Sequence, residues 1–143
     1  MDPGPERRLL QVAVAIACLV PIAAGSAGML RGPDMIGGVH GATPTDLDSH
    51  FRYLSGLLLG IGIGFAGCIA RIERKRALFG TLSGIVVAGG LARLVSLLAV
   101  GAPGAGHLFG LGMELGVVPL LLVWQRRVAR LYEEPIASAV SGP

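Results

Sequence analysis

Residues 77–100 read ALFGTLSGIVVAGGLARLVSLLAV, an apolar run interrupted by a single charge, Arg93. Coiled as a helix rising about 1.5 Å per residue, such a run is roughly 36 Å long, more than the roughly 30 Å of bilayer hydrocarbon. The polar residues fall at no regular spacing, so this is not the amphipathic face of a soluble helix. Working outward, comparable blocks lie at about 9–30, 46–70 and 106–124. The predicted fold class is all-α: an integral membrane four-helix bundle over residues 1–134, with 135–143 as a flexible tail.

Composition agrees. Charged residues make up 15% of the chain and hydrophobic ones 52%, against about a quarter charged in soluble domains. The net charge of +3 does not indicate nucleic acid, because the basic residues cluster beside the apolar blocks and lack interleaved aromatics. Arg7 and Arg8 followed by an apolar run and small residues at 23–27 also resemble a secretory signal. The run is long enough to be kept as a span, and its loss would leave an odd number of helices. Cys18 and Cys68 lie in different blocks and read as small apolar residues.

Lys and Arg orient the spans, since positive residues are retained on the cytoplasmic side. The arm before the first block has Arg7 and Arg8. The connection at 71–76 has Arg71, Arg74, Lys75 and Arg76, and the tail has Arg126, Arg127 and Arg130, so nine of the twelve Lys and Arg residues lie on one side. Both termini are therefore expected in the cytoplasm (N-in, C-in), and the chain in a bacterial inner membrane. The stretch 31–45, with Pro33, Gly37, Gly38, Gly41 and Pro44, is expected to be an irregular outer loop. Thr45 is expected to cap the second helix, with Asp48 favouring its positive end. Pro21 is expected to kink the first. Phe51, Tyr53 and Trp124 read as interfacial anchors.

Small residues four apart allow close helix approach. Gly56, Gly60 and Gly64 form one such ridge, Gly80 and Gly84 a second that continues through Ala88 and Ala92, and Gly112 with Gly116 a third. Packing within the chain is the expected use, with an interface to another chain as the alternative.

Arg93 demands compensation, because an arginine at the centre of a spanning helix costs about 2.5–3.5 kcal/mol even on lenient scales. It lies eight residues before Gly101, and Glu114 eight after Gly106, which places both about 12 Å inside the outer ends of consecutive helices. An ion pair is expected. Asp48 and Arg52, four apart on one face, extend the polar set, with His50, Ser96 and His107 nearby. These residues are expected to make a buried polar cluster that fixes helix register, binds a ligand or carries protons. No metal site is expected: His40, His50 and His107 share the outer side but form no close ligand pair. No serine, base and acid arrangement suggests catalysis, and no nucleotide loop is present.

The motifs Phe-Arg-Tyr-Leu-Ser-Gly at 51–56, Ala-Arg-Leu-Val-Ser at 92–96 and Met-Glu-Leu at 113–115, together with Asp48 and the stretches 89–96 and 114–119, resemble an uncharacterised four-helix bacterial membrane family of the DoxX-like group. The resemblance implies a four-helix bundle with a polar cluster of Arg52, Arg93 and Glu114, and it carries no established reaction. Wider relatives are similar to small subunits of membrane redox enzymes or to bundles binding lipophilic molecules.

The leading functional expectation is a non-catalytic accessory or assembly subunit of a larger inner-membrane complex. The alternative is a lipid-binding or lipophilic small-molecule bundle, with scope for catalysis, whose outer Arg/Glu pocket holds the polar end of its ligand. No cofactor is predicted, although such a pocket suits a lipid or quinone. The expected partners are membrane lipids and other membrane subunits or a second copy, not nucleic acid.

Overall fold

The computed structural model describes residues 4–37 and 42–140, with side chains omitted for 134–140. Gly38, His40 and Gly41 lie outside the described residues. Four stretches are long and apolar enough to cross a membrane: Gly4–Met35, Thr45–Arg71, Arg76–Val100 and Ala105–Glu133. They carry the exposed apolar side chains of a multi-pass membrane protein; Leu30, Leu98, Val100 and Leu120 are each more than two-thirds exposed. A water-facing surface of that kind would aggregate, whereas lipid solvates it.

Helix α1 is Gly4–Arg31, α2 is Thr45–Ala66 and α3 is Arg76–Val100. The fourth stretch is divided: α4, Ala105–Gly112, passes through a π turn at Met113–Val117 into α5, Val118–Val140. Helical backbone thus continues through Pro135, into the segment for which the sequence suggested a flexible tail. The chain separates into two compact units.

One unit is Val14–Gly67. Here the later part of α1 lies against α2, and Gly25, Gly28 and Gly62 provide the contact. A Cβ on Gly25 would stand 2.6 Å from the Leu59 backbone nitrogen and 2.7 Å from the Ser55 carbonyl oxygen. A Cβ on Gly62 would stand 2.8 Å from Ile22 Cγ1 and 3.2 Å from Pro21 Cγ, so the ring of Pro21 is accommodated where α2 has no side chain. The structure thereby corrects the glycine reading. Gly60 has nothing within 4 Å of its Cβ position, and Gly56 meets only Met29 Sδ, at 3.6 Å. The face of α2 that meets α1 carries Ser55, Leu59 and Gly62; Gly56 and Gly60 follow Ser55 and Leu59 by one residue, about 100° around the helix.

Within the 31–45 stretch, Gly32–Met35 forms a 3-10 turn. Thr45 is not the cap of α2. Pro44 occupies that position with φ −55° and ψ 136° and without a side-chain bond, so Thr45 is already helical. Asp46 and Asp48 do sit in the first turn, where the helix dipole favours acids.

The other unit is Met1–Ala13 with Cys68–Pro143. In it α3 packs along α4, the π turn and α5, over a core containing Leu10, Cys68, Ile72, Phe79, Ser83, Val128 and Ala129. Gly80, Gly84, Gly112 and Gly116 have nothing within 4 Å of their Cβ positions. Among the described residues these ridges thus make no close contact at their Cβ positions.

Candidate functional site

Arg93 and Glu114 meet in the second unit. Arg93 Nε donates to Glu114 Oε2 at 3.0 Å and Nη2 donates to Oε1 at 3.1 Å, a side-on fork joining α3 to the π turn. Their side chains are 32% and 18% exposed, so the pair is partly shielded without being sealed. A guanidinium has five N–H donors. The two bonds to Glu114 leave three donors, both on Nη1 and one on Nη2, without an acceptor among the described residues.

Two local features allow the pair to form. Gly90 lies one turn before Arg93 and is buried; a Cβ there would stand 2.8 Å from Glu114 Cβ and 2.8 Å from Leu115 Cδ2, so the missing side chain lets the π turn approach α3. Gly110 lies across from the guanidinium, its Cβ position 3.8 Å from Arg93 Cζ. The π turn itself follows from Pro119. Proline has no N–H for the Leu115 carbonyl, and its ring would collide with that carbonyl in a regular helix. Widening the preceding turn relieves the clash, and Val118 N–H bonds to Met113 O in the π register. Such turns widen the helix locally and occur often at functional sites. The sequence reading assigned no role to Pro119, although a proline within an apolar span was the available signal.

Asp48 and Arg52 belong to the first unit and have a different task. Arg52 Nε and Nη2 donate to Asp48 Oδ2 and Oδ1 at 2.8 and 3.1 Å, while Nη1 donates to the carbonyls of Met29 at 2.6 Å and Leu30 at 3.3 Å. The guanidinium thus covers the C-terminal carbonyls of α1, where the helix leaves acceptors unpaired and a cation is favoured. Gly32 follows the helix with φ +65°, and a Cβ there would stand 2.6 Å from Arg52 Nη2. The left-handed backbone conformation favours glycine at this corner. Ser55 hydroxyl donates to the Phe51 carbonyl at 2.8 Å and fills the gap left by Gly28.

The remaining candidates are placed more loosely. His50 is exposed, its ring 6.5 Å from that of Tyr53. Ser96 and His107 are exposed on α3 and α4. Among the described residues no three His, Cys, Asp or Glu side chains converge as a metal site would require.

The second unit also contains a polar network at its basic end that the sequence reading missed. Gln11 Nε2 donates to Ile69 O at 2.7 Å, and the fully buried Gln125 donates to Ile72 O at 2.8 Å. The two amides thus satisfy carbonyls that lie outside regular helix in the 67–75 connection. Glu6 accepts from Trp124 Nε1 at 3.2 Å and pairs with Arg127 at 2.9 Å; Arg76 forks onto Glu133 at 2.7 and 2.8 Å; Arg7 lies 3.3 Å from Glu73. Trp124 is therefore held by a hydrogen bond from its indole N–H. Glutamine at the margins of apolar blocks was the readable signal.

No curated protein and no solved structure matches the chain. One family does: the model of the domain of unknown function DUF4345 covers residues 9–125, a range that includes all four apolar blocks, the capped corner at Arg52 and the Arg93–Glu114 pair. The chain belongs to the DUF4345 family.

Proposed function

We propose that the chain is a membrane-embedded binding protein for an amphiphilic molecule, whose polar end is held at Arg93 and Glu114. The observation that carries this reading is the set of three Arg93 N–H donors without an acceptor among the described residues, on a helix suited to a bilayer. An unsatisfied donor in hydrocarbon costs several kcal/mol, so a ligand oxygen arriving there is strongly favoured. The Asp48–Arg52 pair is spent on the end of α1, which leaves Arg93 as the stronger candidate contact.

The supporting experiment is native mass spectrometry of protein extracted from its own membranes in a mild detergent. A specific amphiphile should accompany the wild type and fall below about a tenth of its occupancy in Arg93→Leu. Folded wild type that carries nothing would sink the reading.

A second reading is a non-catalytic accessory subunit of a larger complex, as in the DoxX-like group the sequence resembles. Gly60, Gly80, Gly84, Gly112 and Gly116 favour it, since their open Cβ positions leave surfaces that another helix can approach closely. A stoichiometric protein partner in the same preparation would replace the first reading with this one.

The placement we propose is a bacterial inner membrane with both termini cytoplasmic, supported by the nine Lys and Arg residues on one side. A C-terminal alkaline phosphatase fusion should be inactive and a fluorescent protein fusion bright; an active phosphatase would reverse the orientation.

A further inference from the structure

The charge balance around Arg93 narrows the ligand's chemistry, given the binding role proposed above. From Ala77 to Gln125, the apolar part of the second unit, the formal charges are Arg93 and Glu114 alone, with His107 exposed near the start of α4. The side-on fork cancels them against each other. What remains is a neutral pair that still presents donors.

An occupant bringing a carboxylate or phosphate would leave one net negative charge in hydrocarbon, whereas an uncharged oxygen satisfies the same donors without that penalty. The geometry suits such an oxygen. Glu114 occupies Nε and one side of Nη2, so the free edge of the guanidinium presents one N–H from each Nη, a fork matching two oxygens or both lone pairs of one. The same face of α3 is open on either side. Gly89, four residues before Arg93, has nothing within 4 Å of its Cβ position, and Ser96, three residues after it, exposes a hydroxyl. Phe109, next in the chain to the Gly110 that faces the guanidinium, is exposed and apolar, suited to an acyl chain.

We infer that the Arg93–Glu114 site takes a neutral acyl lipid through an uncharged oxygen, an ester carbonyl or a hydroxyl, in preference to an anionic headgroup.

Two probes with the same chain separate the alternatives: monooleoylglycerol and oleate, titrated at pH 8 against the full chain in phosphatidylcholine nanodiscs. Wild type should bind monooleoylglycerol at least about tenfold more tightly than oleate. Glu114→Gln, which strands the arginine charge, should invert the order, and Arg93→Leu should bind neither. If Glu114→Gln does not fold, the Arg93→Leu/Glu114→Leu double variant, which removes donors and charge together, should lose the preference for monooleoylglycerol. Tighter oleate binding by wild type would overturn this inference and leave the binding role standing. Failure of folded wild type to bind either probe, or binding indifferent to Arg93→Leu, would overturn both.

Discussion

Glu114→Leu should destabilise the protein by about 3 kcal/mol, the lower end of the range for stranding one member of a shielded ion pair, since Arg93 stays partly exposed. The substitution nearly conserves volume and removes both acceptors of the guanidinium fork, leaving five donors and a positive charge on a helix long and apolar enough to span a membrane. Adding Arg93→Leu should recover most of the loss, because an apolar pair in place of a paired charge is often neutral or better. Unfolding of the two single variants and the double in lipid nanodiscs gives the coupling energy directly. A double variant no more stable than Glu114→Leu would show that the loss comes from packing against Gly90 and Leu115 rather than from the unpaired charge.

A contrast between two glycines comes second in size. Gly25→Ala should cost about 2–3 kcal/mol, because its methyl group would meet backbone atoms of α2 at Leu59 and Ser55, and backbone yields only if the helices separate. Gly60→Ala, on the exposed side of α2 with nothing near its Cβ position, should stabilise the protein by up to about 1 kcal/mol through helix propensity. Thermal unfolding of both variants tests the pair. Equal effects would mean that α1 and α2 are not in the close register seen at Gly25.

These expectations illustrate how unevenly the sequence can be read. Glycine spacing drew attention to Gly56, Gly60 and Gly64, while the close approach uses Gly25, Gly28 and Gly62. A four-residue spacing identifies a smooth strip on a helix but does not indicate which way it faces; that depends on which neighbour lies where, a long-range outcome. The pairing of Arg93 with Glu114 was legible because two facts converge on it: a lone charge in each of the third and fourth apolar blocks, and equal depth on helices joined by a short turn. Asp48 with Arg52 was legible as a pair by its i, i+4 spacing. Its partner carbonyls at Met29 and Leu30 were not, because backbone acceptors leave no mark in the sequence.

The sequence by itself determined that there are four long apolar stretches and that Arg93 needs a counter-charge, because hydrocarbon length and desolvation act on composition alone. Only the tertiary structure decided which glycines touch, that Arg52 closes the end of α1, that glutamines 11 and 125 serve the 67–75 connection, and that α4 and α5 join through a π turn carrying Glu114. Those outcomes depend on helix rotation and on differences of a few tenths of an ångström in the separations of residues far apart in the chain. The rotation of a helix about its own axis is set by the neighbours it meets.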